Sequence, residues 1–311
     1  MNTFYRFLNI SKQAVYQARK RQQQFDLELM DLINQVDIIR EDHPGCGVEK
    51  MYKALKPKFM GRDKFCEIFM DLGYRVRTLK NYRRTTIPTH LNYPNLIEGM
   101  EVTRPHQVLQ SDITYYYLNE DFYYIVFIID VYTRKIMGYN VSDNMRHQSN
   151  LKALKMALKG IEPEDRADMI HHSDRGSQYG SNPYVKMLKD SGIKISMGLK
   201  AQDNAYAERI NGTIKNEYLK LWKIKDIKDL KAKTKKAVNH YNGKRDHSSL
   251  PKDLAPNKFE DYLVNLTNQE RPTVIIYADG NYKVKVASSH QDFINQERPL
   301  AHNCPIIIKD E

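Results

Sequence analysis

The sequence is poor in cysteine and has no long apolar run, and both absences restrict the class of protein. Cys46, Cys66 and Cys304 are odd in number, far apart and without a CxxC pair, which indicates free thiols in a reducing compartment and no zinc site. The longest apolar run, residues 122–129, has the length of a strand and not of a membrane helix. The first residues lack the apolar segment of a signal peptide. We therefore expect a cytoplasmic protein that does not bind a membrane.

Positive charge is abundant, and it is concentrated in three segments. The 311 residues carry a formal net charge of +11. Residues 1–24 hold five basic side chains and no acid, and residues 50–84 and 215–245 each hold eleven Lys or Arg against three acids. A single basic segment is usually a solvated helix face. Three of them in one chain favour a polyanionic partner such as nucleic acid.

The first 78 residues have the pattern of short helices. Ser11 is placed to cap a helix that ends near Ala18, a second apolar stripe covers residues 25–39, and two shorter helices follow over 48–55 and 62–72. We predict a basic helical arm over 1–24 and a helix-turn-helix DNA-binding domain over 25–78, although any small helical bundle has a similar pattern. The proline-containing, aperiodic residues 79–105 are predicted to be a linker.

The middle of the chain, residues 106–225, alternates strand and helix patterns. Three strands, a helix, and then strands and helices in alternation predict an α/β domain with a mixed five-stranded sheet and flanking helices. The predicted strands cover residues 108–117, 122–130, 135–141, 169–172 and 193–197. A basic helical C-terminal extension is predicted over 226–267, and a tail over 268–311 with a possible β-hairpin around Asp279-Gly280.

Two acidic residues stand at element positions typical of active sites. Asp112 lies inside an apolar strand, where a carboxylate is costly to bury unless it is paired or bound to metal; an edge position facing solvent is the alternative. Asp174 follows a short strand and opens a glycine-containing loop, the usual position of α/β active-site residues. A simple salt bridge with Arg175 is the alternative there, and the adjacent His172 is interpreted as structural or substrate-orienting.

A third acidic residue, Glu208, lies one turn into a helix predicted to run from Asn204 to about residue 221. At 100° per residue, Asn204, Glu208, Asn211 and Lys215 share one stripe of this helix. Glu217, nine residues after Glu208, falls on the opposite side. Spaced charges on an ordinary surface helix are the alternative.

Three carboxylates from separate elements favour a site for divalent cations. Without a cation they would repel each other and their pKa values would rise. Mg²⁺ and Mn²⁺ prefer oxygen ligands, and two such ions can assist an in-line phosphoryl displacement. A basic surface would hold the phosphate backbone. Charge and acid placement thus favour the same chemistry.

The same segments resemble a known family. The motifs SDIT (111–114), HSDRGSQY (172–179), DNAYAER (203–209) and IKNE (214–217) are similar to those of the OrfB-type transposases of bacterial insertion sequences, the insertion-sequence-three family of the retroviral-integrase-like DDE superfamily. Residues 241–250 resemble the C-terminal signature of that family, and residues 43–74 its helix-turn-helix segment. The motifs occur in family order and span about residues 25–260, which makes the set specific.

The resemblance implies a ribonuclease-H-like fold in which Asp112, Asp174 and Glu208 form the catalytic, metal-binding triad for Mg²⁺ or Mn²⁺, with two ions expected. It implies that Lys215 contacts the DNA of the element ends. We expect further DNA contacts from a polar and basic set: Asn204, Asn211, Arg175, Arg209 and Arg245. Family members hydrolyse DNA at element ends and use the freed 3′-hydroxyl to attack another phosphodiester.

The resemblance also implies partners and shows departures. Double-stranded DNA, both element ends and target, is the expected substrate for a homo-oligomer associated with the nucleoid. The chain has no long leucine-zipper helix ahead of Phe25, so an upstream-frame DNA-binding protein is an expected partner. The 33 residues between Asp174 and Glu208 are somewhat fewer than usual, and Arg209 stands where many relatives have Ser.

Two other functions remain open. A ribonuclease-H-like nuclease would cut without joining, and a DNA-binding regulator would carry an inactive catalytic fold. The helix-turn-helix segment and the basic C-terminal helices favour a transposase over the nuclease, because a simple nuclease needs no recognition of ends. Three converging acids disfavour the regulator.

Overall fold

A computed structural model describes residues 11–76, 93–198, 201–276 and 282–285 of the chain. The first ten residues of the predicted arm, most of the predicted linker, Cys304, the hairpin turn and the rest of the tail lie outside the described residues. Of the helices within those ranges, none has the length and apolar character needed to cross a membrane.

The N-terminal part is a three-helix unit. Its helices are α1 (Lys12–Asp42), α2 (Val48–Leu55) and α3 (Arg62–Asp71). The hydroxyl of Ser11 accepts the N–H of Ala14 at 3.0 Å, so the predicted cap is present. The predicted separation into an arm and a second helix is wrong, because α1 continues through residues 19–24. That segment, RKRQQQ, contains only good helix formers and no glycine or proline that would end a helix.

This unit has a hydrophobic core of its own. α1 contributes Leu32 and Val36, and α2 and α3 contribute Met51, Phe65 and Phe69, all almost completely buried. Gly73, which follows the capping residue Leu72, adopts φ +89° where α3 ends. The unit is a small helical bundle in which α2 and α3 are short, and the helix-turn-helix assignment stays a prediction.

The rest of the described chain forms two sheets with helices around them. In chain order its elements are β1 (Glu101–Val102), β2 (Val108–Leu118), β3 (Asp121–Asp130), β4 (Ile136–Ser142), α4 (His147–Leu158), β5 (Ile170–Ser173), α5 (Asn182–Asp190), β6 (Lys194–Met197), α6 (Ala205–Ile214), α7 (Ile227–Gly243), α8 (Pro256–Val264), β7 (Thr273–Ile276) and β8 (Tyr282–Lys285). A π-helical turn, Lys215–Leu219, follows α6 directly. The five predicted strands of the middle region are confirmed to within about a residue.

The main sheet has the strand order β4-β3-β2-β5-β6. Strands β2, β3 and β4 pair antiparallel, whereas β5 and β6 are parallel to β2. This mixed five-stranded order with helices on both faces is that of the ribonuclease-H-like fold. The predicted fold class is therefore confirmed.

Strand β3 explains why this sheet is covered on both faces. Its residues Ile125, Phe127 and Ile129 pack into the layer formed with α6, α7 and α8. The alternating residues Val126 and Ile128 pack into the other layer, formed with α4 and α5. A strand buried on both faces appears in sequence as a continuous apolar run, which is what residues 122–129 show.

The segment before the main sheet is not a free linker over its described part. Ile97 and Val102 are buried in the core, and β1 pairs antiparallel with β7. β7 in turn pairs with β8, so the strands of the predicted hairpin are confirmed. The linker prediction is wrong for residues 93–105, because a two-residue strand is too short to leave a recognisable period.

Gly138 provides a test of how closely the sheet and α4 approach each other. A Cβ at this position would lie 2.1 Å from the carbonyl oxygen of Ala153 in α4. We expect Gly138→Ala to lower the free energy of unfolding by about 3 kcal/mol, because backbone must move to admit the methyl group. Urea unfolding followed by circular dichroism measures this. Gly160→Ala is the control, since a Cβ there meets nothing within 4 Å; equal effects of both variants would contradict the close contact.

Candidate active site

Asp112 lies on β2, the central strand of the main sheet, and not at an edge. β2 is hydrogen-bonded to β3 on one side and to β5 on the other. The Asp112 side chain is half-buried. Burial, followed by the charges of Asp174 and Glu208, raises the pKa of its carboxyl to about 8. The solvent-facing alternative is therefore excluded, and the carboxyl has two acidic neighbours.

Asp174 follows β5, the parallel neighbour of β2. The register pairs Ser111 with Ser173, so Asp112 and Asp174 come one residue later on adjacent strands. One Asp174 oxygen accepts the N–H of Gly176 at 3.0 Å, which fixes the start of the loop. Burial raises the pKa of this carboxyl. Within the described part of the chain, no ion pair joins Asp174 to Arg175, so the salt-bridge alternative is not supported.

Glu208 reaches the same place from α6, where it lies in the first turn. Its side chain is exposed at the surface, yet partial loss of hydration and then the charge of Asp174 raise the pKa of its carboxyl. Strand, loop and helix acids are thus close enough to interact electrostatically. Among the described residues, however, no group of three or more His, Cys, Asp or Glu side chains is already arranged to hold a metal ion.

Polar side chains of β2 determine how α6 docks on the sheet. The carbonyl oxygen of the Gln110 side chain accepts the N–H groups of Tyr206 and Ala207 at 3.2 and 3.3 Å. The Gln110 amide donates to the backbone oxygen of Asp203 at 3.2 Å. Gln110 is fully buried, so these bonds satisfy its amide and orient the beginning of the helix.

The predicted stripe of α6 continues this docking along β2. Asn204 donates to the carbonyl oxygen of Ser111 at 2.9 Å, and Asn211 donates to Oδ2 of Asp112 at 2.7 Å. Lys215 donates to the hydroxyl of Thr114 at 3.1 Å, and burial lowers the pKa of its ammonium. Asn204, Asn211 and Lys215 of the stripe thus contact β2, whereas Glu208 is exposed. Asn211 acts on a site carboxylate directly.

The residues predicted to bind DNA fall into three situations. Asn204 and Asn211 are buried and make the hydrogen bonds to β2 described above. Arg209 is exposed on α6 beside Glu208, and Arg175 is half-buried in the loop after β5. Arg245 differs from the other predicted residues, because its guanidinium forms an internal ion pair with Glu217. DNA contact by these residues stays a prediction.

The sequence predicts that Glu217 lies on the side of the helix opposite Glu208, but it does not reveal that Glu217 forms an ion pair. Two nitrogens of Arg245 donate to its carboxylate at 2.7 and 2.8 Å, and His43 Nε2 lies 2.6 Å from it. The N–H of Gly45 donates to the Glu217 backbone oxygen at 2.6 Å. These hydrogen bonds, from Arg245 above all, hold the pKa of Glu217 far below its usual range. A His-Pro-Gly break, an IKNE motif and an Arg-Asp-His motif meet at this point.

The two histidines before Asp174 are structural. His172 is buried, and its Nδ1 lies 2.8 Å from the Ser196 hydroxyl on β6. His171 is buried too, with Nε2 2.9 Å from the Tyr184 hydroxyl. Burial lowers the pKa values of His171 and His172 to about 3 and about 4, so both rings are neutral near pH 7. The interpretation of His172 as a structural residue fits this geometry.

A larger cavity of about 430 Å³ lies elsewhere, between β4, α4 and α8. Its lining includes Lys135, Met156, Glu260 and Val264 and none of the predicted site residues. A smaller cleft borders Asp174, with Thr114, Tyr115 and Gln178 in its wall. The candidate active site lies beside the smaller cleft, because Asp174 is in its wall and the neighbours of Asp112 on β2, Ile113 and Thr114, line it too.

Comparison with family models identifies the class. Two models, both described as an integrase core domain, match residues 102–202 and 190–254. Together with the strand order and the three converging acids, they define a polynucleotidyl transferase of the integrase class.

Comparison with individual proteins identifies the family. A 31 kDa protein of insertion element IS600 from Shigella sonnei is 35% identical over 209 residues, which cover 65% of this chain and 75% of that protein. A putative transposase of insertion sequence element IS986/IS6110 from Mycobacterium tuberculosis is 34% identical over 187 residues, which cover 57% of this chain and 67% of that protein. The chain belongs to the insertion-sequence transposases of the DDE superfamily and fits the insertion-sequence-three family, as its motifs predict.

Solved structures with a likeness to the chain are retroviral integrases. The catalytic core domain of HTLV-2 integrase, in complex with magnesium, has 16% identity and a TM-score of 0.39, and covers 53% of this chain and 98% of that one. The catalytic core domain of BIV integrase has 15% identity and a TM-score of 0.40, and the match covers 51% of this chain and 97% of that one. Because these TM-scores are low, the fold assignment depends on the strand order of the sheet and not on this likeness.

The raised pKa of Asp112 predicts an unusual dependence of stability on pH. The unfolded carboxyl has a pKa near 3.8 and the folded one about 8, so the unfolded chain releases this proton first as pH rises. The contribution is fully favourable below pH 4 and is lost towards pH 8. With a chelator present, Asp112→Asn should raise the free energy of unfolding by about 1–3 kcal/mol at pH 8 and by little at pH 4. The value at pH 8 is smaller than the full pKa shift implies, because solvent screens the charge of a half-buried group.

Denaturant unfolding at the two pH values measures the effect. Asp190→Asn, at an exposed position at the end of α5, is the matched control and should change stability little at either pH. An identical gain for Asp112→Asn at both pH values would show that folding does not raise the pKa of this carboxyl.

Proposed function

We propose that Asp112, Asp174 and Glu208 hold the divalent cations with which this transposase cleaves insertion-sequence ends and joins them to target DNA. One observation carries the proposal: Asp112, Asp174 and Glu208 are distant in sequence, yet the charges of Asp174 and Glu208 add to the effect of burial, and together they raise the pKa of Asp112 to about 8. A structural role would normally pair such acids with Lys or Arg. Carboxylates gathered on one another are typical of cation sites.

The donor set fits Mg²⁺ or Mn²⁺. All three groups offer carboxylate oxygens, and the Oδ1 of Asn211 is a further buried oxygen with no hydrogen-bond partner among the described residues. Hard oxygen donors suit these two ions better than zinc or copper. We propose two ions; when bound, they supply charge stabilisation at the attacking and leaving oxygens of the phosphodiester.

The chain's own residues would position the reacting groups. Asn211 holds one oxygen of Asp112, so the other oxygen keeps a fixed direction towards the cleft. Gln110 and Asn204 fix α6 against β2 and so fix the place from which Glu208 extends. Positioning of this kind lowers the entropic part of the barrier to displacement.

Basic residues near the carboxylates would hold the DNA. Lys215 lies on the same stripe as Glu208, and its ammonium is 4.6 Å from the ring centre of Tyr115 in the wall of the cleft. Arg175 and Arg209 border the same region and are proposed to contact phosphates. Asn204 and Asn211 would contact DNA only through side-chain atoms that do not take part in their hydrogen bonds to β2. Arg245 would act indirectly, through its ion pair with Glu217.

Membership of this family implies that the chain binds DNA and assembles on it as an oligomer. Joining two element ends requires two active centres near each other, which supports a homo-oligomer on double-stranded DNA. An upstream-frame DNA-binding protein is proposed as a partner on the basis of the family resemblance alone.

Substitution of the triad tests the proposed role of the acids. Asp112→Asn, Asp174→Asn and Glu208→Gln should each lower cleavage and joining of an end-labelled element end by at least about a thousandfold with Mg²⁺ or Mn²⁺. Binding of the same DNA in a gel shift should change little, because the acids would act on the reacting phosphate through the cations and would not hold the rest of the DNA backbone. Asp190→Asn serves as the matched control and should keep full activity.

The products distinguish the three candidate functions. Joined products from the unmodified protein establish a transposase, nicks alone establish a nuclease, and a gel shift without any cleavage establishes a regulator. Normal activity in any one triad variant would remove that residue from the site.

Lys215 is tested by the salt dependence of DNA binding. Lys215→Ala should weaken binding to the element end and lower the slope of log affinity against log salt by about 1, because one phosphate contact is lost. Fluorescence anisotropy over a salt series measures both quantities. Lys159→Ala, an exposed position after α4, is the control; an unchanged slope for Lys215→Ala would place this ammonium away from the DNA.

A further inference from the structure

Helix α1 has a second apolar face that the described part of the chain leaves exposed. Tyr16, Leu27, Met30 and Ile38 are between 63% and 69% exposed, which is unusual for large apolar side chains on a single helix. At about 100° per residue they fall within an arc of about 80°. The buried residues Leu32 and Val36 lie on the opposite side, where α1 packs on the core of the three-helix unit.

This exposed stripe is long and almost straight. Tyr16, Leu27 and Ile38 are spaced eleven residues apart, so they point in nearly the same direction along about 33 Å of helix. Lys20 and Asn34 lie in the same arc between them, and both are exposed. An apolar stripe with polar interruptions, opposite a buried face, is typical of a helix that pairs with another helix.

The charges of α1 are separated along its length. Residues 12–21 carry four basic side chains and no acid, whereas residues 26–42 carry six acids and one base. Arg40, that one base, is turned inward and donates to the backbone oxygen of Pro44 at 2.7 Å. The helix therefore has a basic first half and an acidic second half.

We propose that α1 pairs antiparallel with α1 of a second copy of this chain, with the two Leu27 side chains at the centre. This register places Tyr16 opposite Ile38, and Lys20 opposite Asn34. It also sets the basic half of each helix against the acidic half of the other. A parallel arrangement would set like charges, including the two Lys20 ammonium groups, against each other, which is unfavourable at coiled-coil distances.

Self-association of the full chain without DNA or added metal tests this pairing. Sedimentation equilibrium should show a dimer, and Leu27→Glu should raise its dissociation constant by about tenfold to a hundredfold, because two carboxylates would meet at the centre. Glu favours helix, so α1 itself is preserved, and circular dichroism checks this. Val264→Glu is the control, since Val264 is 81% exposed on α8, and it should leave the dissociation constant unchanged. A monomer at every concentration, or equal effects of both variants, overturns the proposal.

Cysteine pairs test the orientation. Mixing Tyr16→Cys and Ile38→Cys chains under oxidation should give a disulfide-linked dimer, and Leu27→Cys alone should give one too. The unmodified chain measures the background from its own cysteines. Efficient linkage of Tyr16→Cys to itself, or of Ile38→Cys to itself, would indicate a parallel pair and overturn the antiparallel register. Neither measurement requires strand transfer, so failure here leaves the proposed function unaffected.

Discussion

The docking of α6 across β2 is the contact on which the active centre depends. Buried polar side chains hold it: Gln110 receives the first N–H groups of the helix, and Asn204 and Asn211 reach back to the strand. Apolar packing alone would tolerate small rotations of a helix on a sheet. Hydrogen bonds with one allowed geometry do not, so the position of Glu208 relative to Asp112 is fixed by these amides.

The same helix carries a second constraint on its other side. After α6 the chain forms a π-helical turn, and Glu217 in this turn joins Arg245 from the end of α7 and His43 from the three-helix unit. Lys50 is a third basic partner of this half-buried carboxylate, and removal of one of the three partners would destabilise the fold. The close approach of Gly45 to the Glu217 backbone leaves no room for a side chain at that position. One rigid element therefore links the helical unit to the site carboxylates.

The sequence predicted local features better than long-range ones. Strand periods and the Ser11 cap are local patterns, and the structure places them as expected. The α1 prediction was wrong because charge was interpreted as a domain boundary, although RKRQQQ is favourable in a helix. The pairing of β1 with β7 and of Glu217 with Arg245 joins residues far apart in the chain. No period marks such contacts, so a single sequence does not reveal them.

The three carboxylates lower the stability of the fold at the candidate active site, where the relative positions of side chains matter most. Each of the three acids has a raised pKa, because burial disfavours its ionised form; for Asp112 and Glu208 the charges of neighbouring acids add to this effect. The two apolar layers on the sheet offset this loss of stability. The side-chain amides that join α6 to β2 hold the acids in place. Asn211 illustrates the balance, because its hydrogen bond favours the charged form of Asp112 while burial and its acidic neighbours oppose it. If these acids hold cations as proposed, the positive charge of the ions would favour the ionised carboxylates that burial and neighbouring acids disfavour.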